Sequence, residues 1–157
     1  MELSLASKVW IYQSNRAFND TETERLHSIL SDFTASWTAH NQALKASYEL
    51  RNQRFIILIV DETQAGASGC SIDKSVHLMK AIEQEFKVDL FDRFQIAWKE
   101  GDAIKVSNRA EFEQLIADKT INKDTIVFNN LVKNLQELNE CWETPIQQSW
   151  HARVFSL

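Results

Sequence analysis

The spacing of hydrophobic residues changes several times along the chain. Leu26, Ile29, Leu30, Phe33 and Trp37 recur at helical spacing within "NDTETERLHSILSDFTASW", which predicts an amphipathic helix with one apolar face. Thr21 and Glu24 have the spacing of a capping box at its start. Ahead of it, "KVWIY" (Lys8–Tyr12) is aromatic and β-branched and reads as a short strand. Beyond it, Leu44, Ala46, Tyr48 and Leu50 alternate with polar residues, the pattern of a half-buried strand. "RNQR" is polar and can turn. "FIILIV" (Phe55–Val60) is apolar throughout, which suits a strand covered on both faces. Ile72, Val76, Met79, Ile82 and Phe86 return to the helical period, and Phe94, Ile96 and Trp98 in "RFQIAW" alternate again.

The first 99 residues thus read β-α-β-β-α-β. That order predicts a ferredoxin-like split sheet with both helices on one face. Its first and third strands are expected to run parallel, so that their outgoing loops open on one edge. Further on, Gly101 marks a hairpin turn. Asn108 and Glu111 form a capping-box pair ahead of a helix carrying Phe112, Leu115 and Ile116. "DTIVF" (Asp124–Phe128) reads as a strand, and Leu131, Leu135, Leu138 and Trp142 as a last helix, interrupted at Pro145. Residues 100–157 are expected to extend the same sheet with a β-hairpin and helices, which makes 1–157 a single α+β domain. The aromatic tail, with Trp142, Trp150 and Phe155, is expected to fold back over it.

Composition narrows the function classes. The net charge is −5 and no run of Lys or Arg occurs, which argues against nucleic acid as a partner. No apolar run approaches the roughly 18–20 residues of a membrane span. "MELSLASKVW" lacks a basic segment followed by an apolar one, so a cytoplasmic protein is expected. Cys70 and Cys141 lie far apart, form no CxxC pair and make no ligand pattern with the four histidines. A reduced compartment follows, and neither a metal nor a cofactor is expected.

The stretch with candidate chemistry is "DETQAGASGCS". Two of the three glycines, Gly66 and Gly69, fall between the apolar strand and the second helix. Ser68, Ser71 or Asp73 can cap that helix. Free N–H groups at its start favour an anion, and Cys70 sits where thiol pKa values tend to fall. Arg16, on the loop after the first strand, is expected beside this site as a bidentate partner for a carboxylate or phosphate. Asp61 and Glu62 end the apolar strand at the same edge. The leading expectation is a module that binds a small anionic ligand or a protein through the 66–71 loop, using Arg16, Asp61, Glu62, Gly66, Ser68, Gly69 and Ser71. One alternative is an enzyme with Cys70 as nucleophile or redox thiol. Another is an oligomer-building interaction protein. The plain alternative to all three is a capped turn over a buried, inert thiol. His40 is the histidine suited to serve Cys70 as a base, but the expected topology puts it at the opposite edge. Cys141 continues an apolar helix face and reads as core.

"VWIYQSNRAF", "WTAHNQALKAS", "RFIILIVDETQAGASGCSIDKSV", "VDLFDRF" and "LVKNLQELNECW" resemble a family of small bacterial proteins with no established activity, often labelled "ABC transporter ATPase". The resemblance spans essentially the whole chain and implies a small cytosolic domain without assigned functional residues. The residues do not support the label. A phosphate loop needs G-x-x-x-x-G-K-[ST], yet Asp73 stands before Lys74 and Ser68 where the first glycine belongs. The Asp-Glu strand also precedes this loop instead of following it.

Overall fold

The structure, a computed structural model, describes residues 2–157. It is of the α+β class, with helices and antiparallel sheets. The chain forms two compact units. The first runs to Phe91 and includes Lys133–Gln136; the second comprises Asp92–Val132 and Glu137–Leu157.

The first unit contains β1 (Lys8–Gln13), α1 (Asp20–Ser36), β2 (Thr38–Ala39), β3 (Gln42–Ala43), β4 (Lys45–Arg51), β5 (Phe55–Asp61) and α2 (Gly69–Phe86). Its main sheet has the order β1-β5-β4, with β5 antiparallel to both neighbours. Every residue of β5 is buried, as its unbroken apolar run requires. Ile56, Leu58 and Val60 share one cluster with Leu26 and Leu30 of α1 and with Met79, Ile82 and Phe86 of α2. Both helices therefore cover the same face of the sheet.

β1 and β4 run parallel with β5 inserted between them, a split β-α-β arrangement. Two expectations are corrected here. The first and third predicted strands, β1 and β5, run antiparallel, so the loop leaving β1 and the loop leaving β5 lie at opposite ends of the sheet. The strand expected at Arg93–Trp98 does not join this sheet. The outer edge of β1 is met instead by a late segment. Lys8 and Asn134 form an antiparallel bridge, and Val9 N–H donates to the Lys133 carbonyl at 3.1 Å.

The second unit has a sheet of its own, so the strands of residues 100–157 do not extend the first one; from that stretch only Lys133–Gln136 belong to the first unit, through the contact with β1. Its order is β7-β6-β8-β9, with β6 at Ile96–Glu100, β7 at Ala103–Ser107, β8 at Ile126–Phe128 and β9 at Glu143–Pro145. β6 and β7 close through Gly101, whose φ of 61° lies in the left-handed region that glycine tolerates. So short a loop pairs β6 locally at less entropic cost than a return to β1 would carry. α3 (Arg109–Ala117) starts at the Asn108–Glu111 capping box read from the sequence. Phe112, Ile121, Val127 and Ile146 pack with Ile96 and Trp98.

α4 (Leu135–Cys141) ends before Trp142, which is buried against Phe128 with ring centroids 4.9 Å apart. α5 (His151–Phe155) turns back so that Phe155 meets Phe112 at 4.7 Å. The tail thus covers its own core. Among the described residues, no helix is long and apolar enough to cross a membrane.

Candidate functional site

Asp61 closes β5 and is buried. Its carboxylate accepts from Ser4 N–H and Thr63 N–H, both at 3.0 Å, and pairs with Lys45 Nζ at 3.3 Å. The Ser4 N–H, foremost among these contacts, holds the Asp61 carboxyl well below the usual carboxylate range. Glu62 pairs with Lys8 Nζ at 3.1 Å and accepts from Ala67 N–H at 2.8 Å. A Cβ at Gly66 would stand 2.9 Å from Glu62 Oε2, so a larger residue there would displace the end of the Glu62 side chain from its present contacts. A Cβ on Gly69 would meet open space, so that glycine answers no steric demand.

Ser68 caps α2. Its hydroxyl accepts from Ser71 N–H at 3.1 Å, while Ser71 Oγ accepts from Ser68 N–H at 2.7 Å. Ile72 N–H donates to the Ser68 carbonyl at 2.9 Å. The loop's own acceptors therefore occupy the amides of Ala67, Ser68, Ser71 and Ile72. The amides of Gly69 and Cys70 have no acceptor among the described residues. Cys70 is exposed, which replaces the buried, inert thiol of the plain alternative. Cys141 is exposed as well, not core, because its helix ends at that residue. Replacing Ser68 by alanine should lower stability by about 1 kcal/mol. A urea titration would measure it, and Ser68→Asn should recover most of the loss because asparagine caps as well as serine.

The sheet directions decide what stands near this loop. β4 runs antiparallel to β5, with Lys45 opposite Asp61, so β4 begins where β5 ends. The β2–β3 hairpin just before β4 is therefore at the glycine-loop end, and His40 with it. This corrects the opposite-edge expectation for His40. His40 and Asn41 form the hairpin tip with φ values of 49° and 63°. Trp37 anchors the hairpin: Leu44 N–H donates to its carbonyl at 3.0 Å, and its indole N–H donates to the Ser71 carbonyl at 2.9 Å. Trp37, Lys8 and Lys45 are the site residues that sequence reasoning missed. The available signal was the acidic pair ending β5, which needs cations at the neighbouring strand starts.

Arg16 is not at this site. Gln13 lies opposite Phe55, which puts the loop after β1 at the far end of the sheet. There the Arg16 guanidinium grips Glu22 through two bonds of 2.8 Å and also donates to the Phe86 carbonyl. The Arg16 hydrogen bonds, then the Asn19 backbone, hold Glu22 down at about 2. Glu22 also completes a capping box with Asn19, so α1 starts two residues earlier than the Thr21–Glu24 spacing predicts. Of the predicted set, Asp61, Glu62, Gly66, Ser68, Gly69, Cys70 and Ser71 stand together, and Arg16 is separate.

Among the described residues, no group of three or more His, Cys, Asp or Glu is placed to hold a metal ion. Compared with family models, curated proteins and solved structures, the chain gives no match.

Proposed function

We propose that the chain is a binding module whose working surface is the end of the first unit where the loop after β5 enters α2. The observation that supports this reading is the pair Gly69 and Cys70. Both are exposed with unused N–H groups, while the surrounding amides are taken. The ligand is a segment of a protein partner in preference to a free small anion. A helix start contributes about 0.3–1 kcal/mol toward an exposed anion, whereas a millimolar dissociation constant needs about 4 kcal/mol. The nearby charges also cancel, because Lys8 is tied to Glu62 and Lys45 to Asp61. A peptide can add contacts along the loop and the His40 hairpin that an isolated anion lacks. On this reading the first unit is a ferredoxin-like sheet whose fourth strand is reduced to the single bridge at Asn134, and the setting is cytoplasmic.

Peptides selected from a displayed library against the full chain test this. A bulky maleimide on Cys70, in a Cys141→Ser background, should abolish their binding. Sulfate or phosphate at millimolar concentration should leave the melting temperature unchanged. Selected binders indifferent to the Cys70 label, or a melting increase of several degrees with either anion, would overturn the proposal.

The exposure of Cys70 favours a second reading, a thiol-dependent reaction. Single-cysteine variants decide it. Alkylation of Cys70 at least tenfold faster than Cys141 supports it, and equal rates remove it.

A further inference from the structure

The two edges of the first unit's sheet differ. The edge of β1 is covered at its start: Val9 N–H donates to the Lys133 carbonyl at 3.1 Å and Leu135 N–H to the Ser7 carbonyl at 2.8 Å. The sheet simply stops at β4. Apart from its pairing with β5, the backbone of Lys45–Leu50 makes no hydrogen bond among the described residues. The strand is seven residues long, contains no proline and pairs with β5 one residue to one without a bulge. A long, regular edge of this kind is a template for another strand, and natural proteins usually blunt it. Its charges are of both signs, Lys45 and Arg51 with Glu49 between them, so they do not repel a second strand as a run of one sign would; Lys45 lies 3.3 Å from Asp61 and Arg51 3.0 Å from Glu49.

We propose that β4 pairs with β4 of a second copy of this chain, antiparallel about a two-fold axis at Ser47. Charge selects that register. With the axis at Ser47, Lys45 faces Glu49 of the second copy, and the symmetry repeats the pair. Opposite charges directly across two strands stabilise them, and like charges oppose pairing. An axis at Tyr48 would set Lys45 against Arg51, an axis at Glu49 would set two carboxylates together, and an axis at Ala46 pairs no charges. The Ser47 register also places Tyr48 against Ala46, a large side chain over a small one. Lys45 and Glu49 keep 28% and 39% of their side-chain surface exposed, so each can exchange its partner within the chain for the one across the seam. The contact is isologous and closes on itself, so it yields a dimer and not a fibre. It lies on β4 and does not depend on the helix start read above as the binding surface.

Sedimentation of the full chain over a wide concentration range should show a dimer. Ser47→Lys, which sets two ammonium groups at the axis, should shift the protein to monomer, with a melting temperature that matches the unaltered chain diluted until it is monomeric. In a Cys70→Ser, Cys141→Ser background, Ser47→Cys should oxidise to a covalent dimer, because residues directly opposite on antiparallel strands lie within disulfide reach. Gln42→Cys in the same background should not. A monomer at the highest concentration reached, or equal cross-linking by the two cysteine variants, would overturn the proposal.

Discussion

Trp37→Ala should remove about 3–5 kcal/mol of stability, the range for a buried tryptophan truncated to alanine. That is a large part of the roughly 5–15 kcal/mol that holds an ordinary domain together. Trp37 is 2% exposed, and three contacts disappear together. Its ring packs against Phe33 at 4.9 Å and edge-on to Trp10 at 6.1 Å, and its indole N–H holds the Ser71 carbonyl. Denaturant titration reads the loss. Trp37→Phe separates packing from hydrogen bonding: it keeps most of the ring area and should cost only about 1 kcal/mol more than the area it loses. The alanine variant should also loosen the His40 hairpin from the start of α2, so amide exchange at Ala39–Ala43 should speed up well beyond the rest of the unit. A loss below 1 kcal/mol would mean that the hairpin is held by something other than this indole.

Acidification should destabilise the second unit through His151. This residue is 2% exposed, hydrogen bonded to Ser149 Oγ at 2.7 Å, stacked on Trp150 at 3.8 Å and close to Phe112. Burial pushes its pKa down from 6.5 to about 4. A depressed histidine is neutral in the folded state while the unfolded chain takes up the proton. Stability is therefore full above about pH 6.5 and declines as the pH falls toward 4. At about 1.4 kcal/mol per pH unit, the loss across that window approaches about 3 kcal/mol. Two carboxylates act elsewhere on the scale. Glu22, held at about 2, and Asp61, held well below its usual range, keep their contacts until the solution is more acidic. Urea midpoints at pH 7 and pH 4.5 measure the decline, and His151→Gln should flatten it. An unchanged slope in that variant would assign the decline to other groups.

Local pattern revealed the elements, and sheet direction decided the rest. β5 was legible because all seven of its residues are buried, and α3 because Asn108 and Glu111 cap it as their spacing implies. α1 was displaced by two residues because Asn19–Glu22 and Thr21–Glu24 offer competing boxes, and the Arg16 clamp on Glu22 favours the first. The cluster from Asp61 to Ser71 was legible as a unit because its members are consecutive or nearly so. Arg16 and His40 exchanged ends because β1 and β5 run antiparallel, a direction set by the helical crossover from β1 to β4 and the tight β4–β5 turn and not by any local period. The return of Lys133–Leu135 to β1 was invisible for the same reason: it rests on one bridge and a few backbone bonds. The exposure of both cysteines was likewise hidden, since each sits at the end of a helix, where an apolar stripe no longer decides what is covered.

That late return sets a schedule for biosynthesis. When Phe91 leaves the ribosome, the β1 flank still lacks Lys133–Gln136, which belong to the same unit. At translation rates of about 5–20 residues per second, the gap lasts on the order of 2–8 seconds. For that interval the nascent chain carries an open flank that a chaperone can shield or a neighbouring polypeptide can misjoin.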